Sequence, residues 1–261
     1  MNNLIIGDTS QLSYYFPDSF EKVSSRDIDF NKIRTKQYDR VFLLFAEQRT
    51  FLNESEDFFL KTNFEYTVEV INKLKDISNK IIIYATSELW NKYDRGISLE
   101  DAYSYNYSPY IKSKEVLCNY INSNRDRYPN IIIIYPFNFN SIYRKQGFLF
   151  GKIFDSLLNS KKISIGNINF YRDLTHPSII VNSSLYAEKD CIVGSGELIN
   201  VKKFIDDLYT MSGKDINDYV EYDEANNLKI NRGGYYSYSK TSTYEELLKL
   251  TLNDIYEHKI S

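Results

Sequence analysis

The 261-residue sequence contains two cysteines, two histidines, five prolines, ten glycines and one tryptophan. Two cysteines, Cys118 and Cys191, cannot staple a small disulfide scaffold or form a zinc ligand set by themselves. In their apolar surroundings they read as buried, inert thiols in a reducing compartment, and no metal site is expected. Long hydrophobic runs are also missing. Its purely apolar stretches, Ile131 to Ile134 among them, fall far short of the roughly 20 residues of a membrane helix. Met1-Asn2-Asn3 carries no cationic n-region, so a cytoplasmic protein without a membrane partner is expected. Charge of one sign is scarce as well: 32 Lys and Arg against 35 Asp and Glu leave a net −3. That balance argues against a nucleic-acid partner held through its phosphates. What the chain does have is 43% apolar and 26% charged residues, enough to bury a core. Its length lies near the limit of about 250 to 300 residues at which single cores stop growing, which indicates one large domain or a domain with an added lobe.

Continuous apolar runs recur along the first half. Leu4-Ile5-Ile6, Val41 to Ala46, Lys80 to Ala85 and Ile131 to Tyr135 each read as a strand covered on both faces, the mark of a parallel sheet. Helical spacing lies between them. Val68, Ile71 and Leu74 share one face of a segment from Asn63 to Lys75, and Val116, Leu117 and Tyr120 fall within a helix from Tyr110 to Ile121. Strands alternating with helices predict an α/β fold with a doubly wound parallel sheet. Beyond Tyr135 the pattern predicts a helix at Phe148 to Leu158, a strand at Ile163 to Phe170 and a helix at Asn200 to Tyr209 capped by Asn200. A capping box at Ser242 to Glu245 announces the last helix. The expected division is a sheet domain over 1–137, to which 181–208 returns, and a smaller C-terminal α/β substrate lobe built from 138–180 and 209–261. No internal repeat or low-complexity linker interrupts it.

Three places carry chemistry. Gly7-Asp8-Thr9-Ser10-Gln11-Leu12-Ser13 follows the first strand, where a dinucleotide-binding turn would hold Gly-x-x-Gly-x-x-Gly, and only the first glycine is present. Tyr110 and Lys114 are four apart, hence on one helical face, where an ammonium favours the phenolate and makes a tyrosine usable as an acid or base near neutrality. Thr86-Ser87-Glu88 ends the third apolar strand. A hydroxyl there can meet a ligand in the crevice at the strands' carboxyl ends, although Thr86 taken alone fits strand-end capping equally.

Together these residues resemble the extended short-chain dehydrogenase/reductase family, the nucleotide-sugar epimerases, dehydratases and ketoreductases, over almost the whole chain. Phe45-Ala46 is similar to the end of the family's "HLAA" strand, and Thr62 to Thr67 to its "VNVxGT", with Tyr66 in place of glycine. Thr86 to Trp90 resembles "S/T-S-E-x-Y", and Ser108 to Lys114 resembles "SPYGxSK". Pro136-Phe137-Asn138 resembles "RPxN" with Tyr135 replacing arginine; Arg172 to His176 resembles "RDxxH" and Gly194 to Glu197 "GxGE". The resemblance implies a Rossmann-like fold, bound NADP or NAD, a nucleotide-diphosphate sugar as partner, and a homodimer through the two helices that begin at Asn63 and Tyr110. It implies catalysis by Thr86, Tyr110 and Lys114, joined by Glu88 if the reaction removes water. It places the cofactor against Gly7, Thr9, Ser10, Gln11, Leu12, Arg26, Asp27, Ile28, Phe45, Ala46, Asn63, Lys114 and Tyr135, and the sugar nucleotide against Ser87, Asn138, Arg144, Arg172 and His176.

The departures shape the reading. The stretch from Gln11 to Asp27 is too short for a usual first helix plus second strand. No acidic residue marks the end of that strand, whereas Ser24, Ser25 and Arg26 could meet a 2′-phosphate, which points to NADP over NAD. A 4-ketoreductase is the leading expectation, a 4,6-dehydratase or epimerase the alternative, and a non-catalytic nucleotide-sugar binder a third. Arg144 and Arg172 could each grip a diphosphate through the guanidinium fork or serve as surface ion-pair partners.

Overall fold

Leu4 to Ile6, Val41 to Leu43, Ile81 to Ile83 and Ile131 to Ile134 are all buried, as expected for strands with helices on both sides. The computed structural model describes residues 2–90, 94–104, 108–145, 147–166, 168–222, 231–236 and 242–260. In chain order its strands are β1 (Asn3–Ile6), β2 (Glu21–Val23), β3 (Tyr38–Leu43), β4 (Ser78–Tyr84), β5 (Gly96–Ile97), β6 (Ile131–Pro136), β7 (Asn138–Phe139), β8 (Ile163–Ile165), β9 (Phe170–Arg172), β10 (Leu174–Thr175), β11 (Cys191–Val193), β12 (Ile199–Asn200), β13 (Val220–Tyr222), β14 (Asn231–Arg232) and β15 (Tyr235–Tyr236). The helices are α1 (Phe30–Ile33), α2 (Glu56–Leu60), α3 (Thr67–Leu74), α4 (Pro109–Ser123), α5 (Leu149–Asn159), α6 (Pro177–Tyr186), α7 (Val201–Met211) and α8 (Tyr244–Ile260).

The main sheet has six strands in the order β11-β6-β4-β3-β1-β2. Pairing is parallel between β1 and β2, β1 and β3, β3 and β4, and β4 and β6, with Ile5 opposite Phe42 and Ile82 opposite Ile132. This is the Rossmann-like α/β arrangement that the apolar runs predict. Its first crossover departs from the expected strand-turn-helix. Parallel strands usually need a helix to connect them, yet between β1 and β2 there is only a three-residue 3₁₀ turn, Ser13–Tyr15. Pro17 follows at once. Phe16 and Phe20 cover the sheet where a helix would lie, their rings 4.7 and 6.1 Å from that of Phe42.

The chain divides into two compact units, Met1–Asn91 with Leu99–Pro136 and Val181–Ile192, and Lys92–Ser98 with Phe137–Ile180 and Val193–Ser261. The return segment proposed as 181–208 thus ends at Ile192 in this division. The reason lies in α7, whose Phe204, Ile205 and Leu208 pack in the second unit's core with Phe154, Leu247 and Ile255. The single strand expected at Ile163 to Phe170 is instead two, β8 paired with β13 and β9 paired with β12 and β14. Asn200 caps α7 through Lys203 N at 2.9 Å, as its sequence position indicates. At α8 the cap is shifted by one residue: the Thr243 hydroxyl, not Ser242, accepts the Glu246 N–H at 3.1 Å.

Among the described residues no helix is long and apolar enough to cross a membrane, and no three His, Cys, Asp or Glu side chains gather as a metal site. Both cysteines are free thiols. Burial raises Cys118 to about 12 and Cys191 to about 11.

Candidate active site

The carboxyl ends of β1, β2 and β3 meet at Gly7. Its backbone has φ +109°, and a Cβ there would lie 3.1 Å from Phe45 N and 3.2 Å from the Leu44 carbonyl carbon, so only glycine fits without strain. The Gly7 and Asp8 N–H groups both donate to the Val23 carbonyl, at 2.9 and 3.2 Å. Beyond them Ser10 N donates to Gly7 O and Ser13 N to Ser10 O, each at 2.9 Å, giving successive tight turns rather than a helix. The helix N-terminus that would hold a pyrophosphate is therefore not built here. Thr9 is exposed and Leu12 buried, while the Gln11 side-chain oxygen is buried with no hydrogen-bond partner among the described residues.

After β2 the chain turns sharply, Ser24 Oγ accepting the Arg26 N–H at 3.2 Å. Arg26 and Asp27 are exposed and Ile28 is half-buried. Beyond β3, Phe45 and Ala46 are half-buried at the sheet edge. Asn63 lies within a π-helical segment, Lys61–Tyr66, that joins α2 to α3. Its amide is fully used: Oδ1 accepts Glu47 N at 2.7 Å, and Nδ2 donates to Glu47 O at 3.0 Å and to Ser113 Oγ at 2.9 Å. Asn63 thereby ties the segment after β3 to α4, one residue before Lys114.

Thr86 follows β4 in extended backbone, and its hydroxyl accepts the Glu88 N–H at 3.2 Å, so capping is part of its role. Ser87 is buried and Glu88 exposed. Pro109 opens α4, a favoured first helical residue because its missing N–H would be unpaired anyway. Tyr110 is half-buried in that first turn, its ring edge-on to Phe59 at 6.5 Å. Lys114, one turn later, is only 4% exposed, and its Nζ donates to the Tyr84 carbonyl at the end of β4, 2.9 Å away. Among the described residues its other two N–H groups have no protein acceptor.

Burial depresses the Lys114 ammonium to about 8. The unfolded chain holds that proton up to the ordinary lysine value, so between pH 8 and the ordinary value the unfolded state binds more protons and the folded state gains stability as pH rises. Urea denaturation across this window should show wild type gaining stability relative to Lys114→Met; parallel pH profiles would refute the burial argument.

Tyr135, which the resemblance places against the cofactor, is 2% exposed, and its hydroxyl meets that of Tyr103, a residue the sequence motifs did not single out, at 2.8 Å. Burial raises both phenols above the ordinary tyrosine range. Tyr135 is thus turned toward Tyr103, beside a groove of about 320 Å³ that Trp90, Asn122 and Asp190 also line.

In the second unit, Arg172 and the Gly194 segment come together around Asp173. Asp173 is fully buried and accepts Ser195 N at 2.5 Å, Ser195 Oγ at 2.8 Å and Gly196 N at 3.1 Å. Arg172 is half-buried, donates to the Tyr171 carbonyl at 2.8 Å and lies over the Phe170 ring at 4.8 Å. Arg144 stacks on Phe148 at 3.8 Å. His176, 2% exposed, uses both ring nitrogens within the protein: Nδ1 lies 2.8 Å from Ser178 Oγ and 3.3 Å from Ser178 N, and Nε2 lies 3.1 Å from Asp254. His176 therefore caps α6. Asn138 is half-buried in β7, which pairs with β10.

A family model described as GDP-mannose 4,6 dehydratase matches residues 37–244. The chain belongs to this family. The match to the GDP-mannose 4,6 dehydratase family starts beyond the shortened first turn and takes in Asn63, Thr86, Tyr110, Lys114, Asn138 and Arg172. No curated protein matches the sequence. Among solved structures, RMD from Pseudomonas aeruginosa, complexed with NADPH, is similar with a TM-score of 0.78 at 13% identity, over 98% of this chain and 100% of that one. The UDP-N-acetylglucosamine 4-epimerase of Methanobrevibacter ruminantium, with UDP-N-acetylmuramic acid, gives 0.76 at 16% identity over 98% of each chain. The UDP-glucuronic acid 4-epimerase of Bacillus cereus, with UDP-glucuronic acid and NAD, gives 0.73 at 16% identity, over 99% of this chain and 100% of that one. At such identities the likeness establishes the shared fold.

Proposed function

We propose that the protein is an oxidoreductase that uses a nicotinamide dinucleotide on a nucleotide-diphosphate sugar, and that its reaction is reduction of a 4-keto group with NADPH. One observation carries the reading: α4 sets Tyr110 one turn from a buried Lys114, whose ammonium is held at the end of β4 two residues from Thr86. The residues present fit the dinucleotide at two points. Lys114 has N–H groups to spare for a ribose hydroxyl, and the buried Gln11 oxygen lacks a donor. Gly7, Thr9, Ser10 and Leu12 would border the phosphates, Phe45, Ala46 and Asn63 the adjoining edge, and Ser24, Ser25 and Arg26 a 2′-phosphate.

When bound, the dinucleotide supplies or takes up the hydride. Tyr110 gives its hydroxyl proton to the carbonyl oxygen, and the positive charge of Lys114 makes that proton easier to lose. Thr86 donates a hydrogen bond to the same oxygen while continuing to accept the Glu88 N–H. In the second unit, Arg172 and Asn138 are the candidates for the sugar nucleotide; His176 and Arg144 have the capping and packing roles described above. The reading includes a homodimer through the helices around Asn63 and Tyr110, which within the chain meet through the edge-on Phe64 and Tyr120 rings, 5.4 Å apart.

A second reading, 4,6-dehydration, is supported by the family model's own description and by the presence of Glu88 on the turn after β4, exposed and two residues from Thr86. Both readings require the cofactor. Titration followed by dihydronicotinamide fluorescence should show saturable binding of NADPH and NADH, tighter for NADPH. Binding of neither at millimolar concentration would leave a non-catalytic nucleotide-sugar binder as the better account.

A further inference from the structure

Tyr66 closes the π-helical segment, at the place where the resembled motif has glycine. Rather than leaving open space, its side chain spans two strand ends. The hydroxyl donates to the Ser25 carbonyl beyond β2 at 2.5 Å, and the ring packs on that of Phe45 beyond β3, with centroids 5.3 Å apart and planes at 53°. Burial and the nearby Glu69 and Asp27 carboxylates raise the Tyr66 phenol, so it stays protonated and keeps donating. Both rings are half-buried, leaving part of an aromatic pair in water at the carboxyl edge of the sheet. A π-bulge costs regular helix hydrogen bonding and is found frequently at functional sites, and this one fixes Asn63 and Tyr66 together.

The end of the second strand in a dinucleotide-binding sheet is where the adenosine ribose is held. In this chain the neighbouring phosphate grip is reduced, because the first crossover is a 3₁₀ turn and serines replace two glycines. We infer that Tyr66 and Phe45 form an aromatic platform for the adenine of the dinucleotide, so that base stacking supplies affinity which a helix terminus would otherwise give. The inference rests on the cofactor reading above and deepens it by naming the residues that hold the adenine ring. Stacking suits this task because every base presents a π-face, whatever grips its phosphates. Tyr66 is then a binding residue for the adenosine end, with no part in hydride or proton transfer.

The test compares two ligands that share the reacting ring: NADPH and reduced nicotinamide mononucleotide, which lacks the adenosine. Both are titrated by dihydronicotinamide fluorescence into wild type, Tyr66→Leu and Tyr66→Phe. Leucine keeps an apolar, helix-compatible side chain and removes the ring; phenylalanine keeps the ring and removes only the hydroxyl bond. Tyr66→Leu should weaken NADPH about tenfold or more and leave the mononucleotide unchanged, while Tyr66→Phe should stay within about threefold of wild type for both. Circular dichroism confirms that each variant is folded. Unchanged NADPH affinity in Tyr66→Leu overturns the platform, and tighter NADPH binding in that variant overturns it too, by showing that Tyr66 obstructs the site. Equal weakening of NADPH and the mononucleotide also counts against it. If neither ligand binds wild type, the cofactor reading itself fails and the platform with it, an outcome distinct from failure of the platform alone.

Discussion

Tyr110→Phe should lower turnover of a 4-keto sugar nucleotide by about 10²- to 10⁴-fold, the usual cost of losing a positioned acid. The substitution removes one hydroxyl from the first turn of α4 and leaves the ring against Phe59, so folding and cofactor affinity should be unaffected. Lys114 is almost fully buried, and its single protein acceptor among the described residues is a carbonyl. It therefore has no carboxylate to neutralise it, and its charge remains available to the phenol one turn away. Glu88→Gln separates the two reaction classes. Carbonyl reduction moves no proton from carbon, so Glu88→Gln should then change turnover little. Dehydration needs a group to remove that proton, so the same substitution should abolish water loss while oxidation, seen as transient reduced cofactor, survives. Assays with the 4-keto substrate and with its 4-hydroxy precursor give both readouts. Strong loss in Glu88→Gln on the precursor, together with no reduction of the ketone by wild type, would overturn the ketoreductase reading in favour of the dehydratase.

Asp173→Ala should cost about 3 kcal/mol, because it takes the carboxylate acceptor from the buried Ser195 N and Ser195 Oγ and from the half-buried Gly196 N. The neighbouring glycine shows how closely the carboxylate is packed. A Cβ on Gly194 would lie 2.7 Å from Asp173 Oδ2 and 2.6 Å from a Phe137 ring carbon, so nothing larger fits beside it. Through this clamp the turn after β11 is fastened to the strand pair β9 and β12, where Ile199 faces Arg172. Alanine should therefore loosen the backbone that carries Arg172. Thermal unfolding should fall by roughly 6 to 12 °C, with NADPH affinity unchanged because the residues named for the cofactor all belong to the first unit. A variant with wild-type melting temperature would show that water or relaxation satisfies the three donors. A fall in NADPH affinity without a fall in stability would instead assign Asp173 a direct part in cofactor binding.

Local pattern was enough to identify several features. A strand buried on both faces must be apolar at every position, and Leu4 to Ile6, Val41 to Leu43 and Ile131 to Ile134 can hardly be read otherwise. The i, i+4 spacing of Tyr110 and Lys114 follows from helical geometry once Pro109 fixes the start of α4. Asn200 caps α7 because its side chain reaches only the N–H groups just ahead of it. The family resemblance likewise rested on short ordered motifs.

Other features depend on groups far apart in the chain. The missing first helix was visible only as a shortage of residues; that Phe16 and Phe20 would take its place on Phe42 depends on the sheet they cover. A π-helical turn has no hydrophobic period of its own, so the reach of Tyr66 to Ser25, 41 residues earlier, could not be read from sequence. Asp173 and Ser195, 22 residues apart, sit in separate motifs, and only the pairing of β9 with β12 turns them into one clamp. Lys114 makes the same point for chemistry. Its spacing identified the residue, but its burial against the Tyr84 carbonyl, and hence its lowered affinity for a proton, was decided by the packing of α4 against β4, because desolvation depends on every atom that surrounds a charge.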